Sequence, residues 1–358
     1  MALTKLSCAL FVLLLPVALP AGAQQSLPAI APPGPSSTSQ QIHLDVVVDS
    51  KSGQPVNYLA QQDFTVLDNK APLPITSFKV VTSAQEPVEV IVLIDGVNTP
   101  YVTSAYAREQ TEKFLKENEG TLAHPTSIAL LSDDGVQIDN GFSINGNILS
   151  DSLEHHQIGL REINRSSQRG DSERWDICVK ALHQVVDYAA TLPGRKLILY
   201  ISPGWPLLSG PHIDISASRQ QQVFNDIVYL SSKMRQSKIV LYNVSPIGAT
   251  ESLMAANYYE EFLKGISKIS QTQYGDLGLQ VLAVQSGGLS IASNSDVTGM
   301  IQKCLADANS WYEIAFDPPP PDKPNEYHHI EVRLDQPGLV ARTRTGYYSN
   351  PVATGSGR

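Results

Sequence analysis

The stretch that most constrains the fold is an apolar run, VEVIVLID, at residues 88–95. Val and Ile dominate this run, and only Glu89 interrupts it before it stops at Asp95. Such a run is typical of a strand that is buried on both faces at the centre of a parallel sheet. Because ligands of open α/β sheets bind at the carboxyl ends of the strands, Asp95 is the first candidate functional residue. Its alternative role is only to cap the following helix or to end the strand.

Predicted strands and helices alternate from residue 88 to residue 308, which indicates an α/β domain with a mostly parallel, Rossmann-like sheet and helices on both faces. The predicted helices are 103–118, 147–156, 173–190, 216–235, 251–269, 276–285 and 296–308, and the predicted strands after the first are 126–131, 135–142, 196–201, 238–244 and 289–292. The flanks, 42–78 and 311–348, carry short alternating strands instead. We expect the two flanks to join in one small β-sandwich into which the α/β domain is inserted.

The first 23 residues have the pattern of a signal peptide, with an apolar core followed by the small residues Ala21, Gly22 and Ala23. We therefore expect a mature protein that begins at Gln24 and is secreted or periplasmic, without membrane insertion. The remaining predicted segments are a disordered linker at 24–40, the first part of the β-sandwich at 41–82, the α/β domain at 86–310, the second part of the sandwich at 311–350 and a disordered tail at 351–358.

The charge of the chain argues against two classes of partner. The net charge is −9 and there is no basic block, so neither nucleic acid nor an anionic membrane surface is an expected partner. After export, two cysteines remain, Cys178 and Cys304. They could pair in an oxidising compartment, or they could be two small buried side chains among apolar helical neighbours.

The sequence carries no recognisable catalytic motif. Neither G-x-S-x-G nor H-E-x-x-H occurs. His155 and His156 fall on a predicted helix surface, and His328 and His329 are adjacent on a predicted strand, where they point to opposite faces. A hydrolase needs a nucleophile beside a base, and no predicted loop supplies a histidine close to Asp95. We therefore expect a protein that is not an enzyme.

Several motifs spread over nearly the whole mature chain resemble one known family. They are DVVVDSKSGQPV, LAQQDFTVLDN, PITSF, VIVLIDGVNTPY, LAVQSGGLSIASNSD, ANSWYEIAFDPP, HHIEVRL and VARTRTGYY. Together they resemble the von Willebrand factor type A (VWFA) domain, and more closely the acidobacterial-type VWFA-related family of exported bacterial proteins. The resemblance implies a module used for binding and adhesion, and it does not imply a reaction.

Type A domains typically hold a divalent ion at a metal-ion-dependent adhesion site. Its first loop reads Asp-x-Ser-x-Ser, its second loop gives a Thr and its third loop gives an Asp. By this resemblance Asp95, Thr99 and Ser172 match three of the five ligands. Val97 stands in place of the first Ser, and Pro203 stands in place of the third-loop Asp. The resemblance therefore implies a degenerate site.

The degenerate site determines which cofactor we expect. The expected cofactor is none, or a weakly bound Mg²⁺, since Mg²⁺ prefers oxygen ligands and keeps several of its waters. Asp133 or Asp171 could supply a replacement carboxylate, and the alternative is a hydrogen-bonded polar cluster without an ion.

The resemblance also places the helices of Cys178 and Cys304 on opposite faces of the sheet, too far apart for a disulfide.

We expect the ligand, a protein or a cell-envelope component, to bind at the carboxyl edge of the sheet. The residues expected to contact it are Asn98, Tyr101 and Trp205. Trp205 has an alternative role, which is to pack under its loop. The competing interpretations are an envelope hydrolase that uses the same edge and a purely structural envelope protein, and the oligomeric state stays open.

Overall fold

A computed structural model describes residues 41–155, 168–206, 215–247, 262–292 and 296–349. The strands, numbered along the chain, are β1 (Ile42–Ser50), β2 (Phe64–Asp68), β3 (Ala71–Leu73), β4 (Ser77–Thr82), β5 (Val88–Asp95), β6 (Thr121–Ser132), β7 (Gly135–Ile138), β8 (Ser143–Asn145), β9 (Arg195–Ile201), β10 (Ile239–Val244), β11 (Ser290–Ile291), β12 (Ser310–Phe316), β13 (Tyr327–Leu334), β14 (Leu339–Arg342) and β15 (Gly346–Tyr348). The α-helices are α1 (Tyr101–Leu115), α2 (Gly146–His155), α3 (Gln168–Ala190), α4 (Ala217–Gln236), α5 (Leu279–Gln285) and α6 (Val297–Leu305). Short 3₁₀ turns occupy Gln61–Asp63, Glu117–Gly120, Ile269–Gln271, Tyr274–Leu277 and Ala306–Ala308.

The central sheet is mostly parallel, and β5 lies in its middle. The strands lie in the order β11, β10, β9, β5, β6, β7, with β8 as a second antiparallel partner of β6. Because β5 pairs in parallel with both β6 and β9, the most apolar run of the sequence is an interior strand. This arrangement confirms the predicted α/β class with a mostly parallel sheet.

Helices cover both faces of this sheet, because successive side chains of a buried strand point in opposite directions. Ile91 and Leu93 of β5 belong to an apolar cluster that includes residues of α3, α4 and α5. Val92 and Ile94 belong to a second cluster, on the other face, with residues of α1, α2 and α6. In the part of the chain that the structure describes, no helix is both long enough and apolar enough to cross a membrane.

The two flanks of the chain pack on each other. β1 pairs with β12 and β14, and β2 pairs with β13, so each of the two antiparallel sheets contains strands from before and after the central sheet. A third apolar cluster, which includes Leu44, Val66, Ile314 and Ile330, holds the inward side chains of these strands. This confirms the predicted sandwich formed by both flanks around an inserted α/β unit.

The fold shows where the two cysteines and the two adjacent histidines of β13 lie. Cys178 and Cys304 are free and buried, and they lie in the separate clusters on the two faces of the central sheet, as predicted. His328 and His329 point to opposite sides of β13, since His328 is buried and His329 is exposed. The strand alternation thus separates these two imidazoles as predicted.

The predicted helix over 251–269 is wrong in its described part. Residues 251–261 lie outside the described residues, and the rest of the segment is not helical before the 3₁₀ turn at its end. Gly265 packs so closely against the ring of Tyr327 that a Cβ atom there would overlap the ring. This segment therefore packs against the β-sandwich, a contact that periodicity does not report.

Tyr312 is the side chain whose removal tests the joining of the flanks. Its hydroxyl donates to the Val56 carbonyl (2.9 Å) and accepts from the Leu59 N–H (3.1 Å), so the second flank satisfies two buried groups of the first. We expect Tyr312→Phe to lower the free energy of unfolding by roughly 1–3 kcal/mol in urea denaturation, because both backbone groups lose their partner. Tyr58→Phe, at an exposed ring, is the control. Equal stability of the two variants would contradict this account.

Asp276 makes the stability of the fold dependent on pH. Burial raises the pKa of its carboxyl to about 7. A raised folded-state pKa means that the stabilisation is complete below the unfolded pKa and is lost as the pH rises through the folded pKa. We expect the Asp276 carboxyl to contribute a fall of up to roughly 4 kcal/mol in the free energy of unfolding between pH ~4 and pH ~7. Asp276→Asn should remove most of this slope, and an unchanged slope in that variant would contradict the assignment.

Candidate functional site

The candidate site lies at the carboxyl edge of the central sheet, around Asp95. Asp95 is the last residue of β5, and its side chain is buried, at 1% exposure. Ser202 follows directly after β9, the parallel neighbour of β5, so it lies at the same edge of the sheet. Parallel pairing therefore brings together residues that are far apart in sequence.

Each oxygen of the Asp95 carboxylate accepts two hydrogen bonds. Oδ1 accepts from the backbone N–H groups of Val97 (2.8 Å) and Asn98 (2.9 Å). Oδ2 accepts from the Asn98 side-chain amide (2.8 Å) and from the Ser202 hydroxyl (2.6 Å). A carboxylate has about four acceptor sites, so these four donors fill it.

The loop after β5 folds back on its own aspartate. Asp side chains commonly accept hydrogen bonds from backbone groups two or three residues ahead, and here this sets the turn before α1. Thr99 adds to the turn by donating its hydroxyl to the Asp95 carbonyl (2.8 Å). The residue at the N-cap of α1 is Pro100, and no side chain caps that helix. The alternative role of Asp95, as a helix cap, is therefore not the one observed.

A polar layer continues from Asp95 across the neighbouring strand ends. The Asn243 amide of β10 donates to the Ser202 carbonyl (2.8 Å), and the Ser290 hydroxyl of β11 donates to the Asn243 side chain (3.0 Å). Sequence reasoning missed Asn243 and Ser290. The available signal was the single asparagine in the otherwise apolar strand IVLYNV.

Helix α3 contacts this layer through Cys178. The Asn98 amide lies 3.0 Å from the Cys178 sulfur. Burial, together with the nearby Asp95 carboxylate, raises the pKa of the Cys178 thiol well above its ordinary value. The thiol is therefore protonated at neutral pH and is a packed, weakly polar contact.

The electrostatics of Asp95 combine two opposing effects. Burial raises the pKa of its carboxyl above the ordinary value, and the hydrogen bonds from Ser202, Asn98 and Val97 act in the opposite direction. Hydrogen bonds to both oxygens favour the ionised form of the carboxyl and so limit the rise of its pKa.

Ser172 lies in a helix and not in the loop that the resemblance implied. Helix α3 begins at Gln168, so Ser172 is a helical residue. Cys178, the α3 residue that contacts Asn98, is six positions further along the helix, which corresponds to a rise of roughly 9 Å. Of the three predicted metal ligands, Asp95 and Thr99 are in contact through the Thr99 hydroxyl and the Asp95 backbone carbonyl, and Ser172 lies on helix α3.

The three predicted ligand-contacting residues have different surroundings. Tyr101 is 70% exposed in the first turn of α1, so its ring is accessible. Asn98 is half-buried, and its amide is used by Asp95. Trp205 is only 5% exposed and belongs to the apolar cluster under the loop, which is its alternative role. Its large apolar ring is stabilised more by this burial than by exposure.

The residues around Asp95 do not fit a divalent cation. N–H and O–H groups point at both carboxylate oxygens, so a cation there would face donors instead of free lone pairs. Val97 is buried and offers no oxygen, and Asp171 forms an ion pair with Arg174. Within the described ranges, no group of three or more His, Cys, Asp or Glu residues is arranged to hold a metal ion.

Comparisons with known proteins give a fold-level likeness alone. No protein-family model and no curated protein sequence matches the chain. Among solved structures, the chain is similar to a von Willebrand factor type A protein from Catenulispora acidiphila, with 10% identity, 88% of this chain and 75% of that chain covered, and a TM-score of 0.34. It is also similar to an aerotolerance-related membrane protein from Bacteroides fragilis, with 12% identity, 62% and 98% covered, and a TM-score of 0.34.

A third similar structure is the proximal thread matrix protein 1 from the mussel byssus, with 8% identity, 67% of this chain covered and a TM-score of 0.36. The chain spans about half the length of that protein, 51%. Overlaps at this level carry no argument about function. The fold class follows from the strand order and the helix placement described above.

The hydrogen bond from Ser202 is the part of the site that a single substitution removes most cleanly. We expect Ser202→Ala to lower the free energy of unfolding by roughly 1.5–3 kcal/mol, because a hydrogen bond to a buried charged group is lost. Urea denaturation measures the change, and Ser52→Ala, at an exposed serine, is the control. A loss no larger than that of the control would show that the Ser202 hydroxyl does not hold Asp95.

Proposed function

We propose that this chain is an exported, non-enzymatic binding module of the acidobacterial-type VWFA-related kind, whose ligand is a protein or a cell-envelope component. The ligand binds at the carboxyl edge of the central sheet, beside the Asp95 loop. The single observation that carries this proposal is the exposure of two apolar side chains at the start of α1. Tyr101 is 70% exposed and Val102 is 78% exposed.

These two side chains have the features of a binding contact. Large apolar side chains are usually buried, and a neighbouring exposed pair at one helix end is an apolar surface that a partner can cover. Tyrosine is enriched among the residues that dominate binding energy, since its ring gives a large contact area. Both residues follow a loop that four hydrogen bonds to Asp95 fix, so little order has to be gained on binding.

The hydrolase alternative has less support from the same edge. The Ser202 hydroxyl is buried, at 0% exposure, and it donates to an Asp95 carboxylate that three other hydrogen bonds already engage. The Cys178 thiol is buried, with a raised pKa, so it is a poor nucleophile. Among the residues that the structure describes, the hydrogen bonds of histidine side chains do not include one to a serine or cysteine side chain.

Binding is tested with a variant and a matched control. Tyr101→Ala and Tyr58→Ala remove equally exposed tyrosine rings, 70% each, from the carboxyl edge and from the β-sandwich flank. Wild-type protein is used to capture a ligand from the envelope fraction of the source organism, and the purified ligand is then titrated calorimetrically against both variants. We expect at least about a tenfold loss of affinity for Tyr101→Ala and no loss for Tyr58→Ala.

Two results would contradict the proposal. One is an affinity that depends on Tyr58 instead of Tyr101, which would place the ligand on the sandwich. The other is turnover of the captured ligand by wild-type protein that is lost in Ser202→Ala, which would favour a hydrolase.

Export is tested separately by the N-terminus of the protein that accumulates outside the cytoplasm. We expect mass spectrometry of this protein to show a chain that begins at Gln24, because the small residues before it form the cleavage site. A chain that retains residues 1–23 in the cytoplasm would contradict export without affecting the binding proposal.

A further inference from the structure

The Asp95 carboxylate is a buried charge that the protein must stabilise without a cationic side chain. In the described part of the chain, no Lys, Arg or His side chain lies within ion-pair distance of it. An isolated charge in a protein interior is costly, and hydrogen bonds to the charged form are what reduce that cost. The stabilisation therefore comes from the four donors on its two oxygens.

The two oxygens differ in where their donors come from. Among the described residues, the donors to Oδ1 are two backbone N–H groups of its own loop, those of Val97 and Asn98. Oδ2 is bonded by two side chains, Asn98 from this loop and Ser202 from the segment after β9. Oδ2 is thus the atom through which two separate segments at the sheet edge are connected.

The Asn98 amide is oriented by a third segment. The same amide nitrogen that donates to Oδ2 lies 3.0 Å from the Cys178 sulfur of α3. The opposite orientation of the amide would place the Asn98 carbonyl against Oδ2, where two acceptors would repel each other. Asn98 therefore connects α3 with the loop after β5, and Ser202 connects that loop with the end of β9.

We propose that the Asn98 amide and the Ser202 hydroxyl are a built-in substitute for a bound cation: they stabilise the Asp95 charge and join three segments of the carboxyl edge by hydrogen bonds, without any metal. A divalent ion performs these two tasks with oxygen ligands, and here uncharged donors of the chain itself perform them. The proposal concerns the protein alone and does not depend on whether the edge binds a ligand.

Exchanging one atom, the amide nitrogen of Asn98, should convert this metal-independent arrangement into one that needs a cation. Asn98→Asp replaces the donor on Oδ2 by an oxygen of almost the same size and position. Two carboxylates would then face each other, which is unfavourable unless one of them takes up a proton or a cation lies between them. The variant should gain the metal dependence that the wild type lacks.

The test is thermal unfolding of wild type and Asn98→Asp in EDTA, in excess MgCl₂ and in excess MnCl₂, together with calorimetric titration of each metal. Asn57→Asp, at an exposed asparagine, is the control for the added negative charge. We expect the same midpoint in all three solutions for the wild type and for Asn57→Asp. For Asn98→Asp we expect a lower midpoint in EDTA that either metal raises, with a dissociation constant on the order of 10⁻³ M or tighter.

Three outcomes would overturn the proposal. The first is metal binding to the wild type that disappears in Asp95→Asn. The second is an Asn98→Asp variant that folds and responds to metals no more than Asn57→Asp does. If Asn98→Asp does not fold even with metal, Ser202→Asp, which places the second carboxylate on the other donor position, is tested in the same way. A folded Ser202→Asp variant without a metal response is the third.

Discussion

The interaction on which the carboxyl edge depends is the full hydrogen bonding of one buried carboxylate. Asp95 ends the central strand of the sheet, and its four donors come from the loop that leads into α1 and from the end of β9. Without these donors a charge at 1% exposure would cost several kcal/mol of stability. The position of α1, and with it the exposure of Tyr101 and Val102, follows from this arrangement.

The rest of the fold brings the donors to the carboxylate. Parallel pairing of β5 with β9 places Ser202 beside Asp95, and helix α3 places Cys178 against Asn98. The chain before the central sheet and the chain after it pair in the β-sandwich, so the two ends of the α/β unit are held together. A rigid sheet with a fixed loop at its edge is suited to presenting a binding surface.

Residue patterns predicted the framework well where burial alone determines it. The apolar runs of β5, β9 and β10 and the alternating strands of the flanks indicated the correct sheet types, since each pattern reports which faces are covered. A residue pattern does not report which distant segments of the chain contact each other. Gly265 lies against Tyr327 in a segment where periodicity favours a helix, and α3 begins at Gln168, among polar residues that resemble a loop.

The candidate site was predictable in its position and not in its chemistry. The acid at the end of the most apolar strand identified Asp95, because ligand sites of α/β sheets gather at that edge. Whether Asn98 points to a ligand or back to Asp95 cannot be read from residue type, since an amide serves both roles equally well. Trp205 illustrates the same limit, because a tryptophan beside the edge is favoured both by exposure in a contact and by burial in the core.

The most direct measurement of the central claim is hydrogen exchange of the backbone amides of Val97 and Asn98, with EDTA and with Mg²⁺. Both amides donate to the buried carboxylate, so the account predicts slow exchange at the same rate in the two solutions. Fast exchange in both solutions would show that the loop is not held by Asp95. Slow exchange only with Mg²⁺ would show that a metal ion, and not the Asn98 and Ser202 side chains, completes the site.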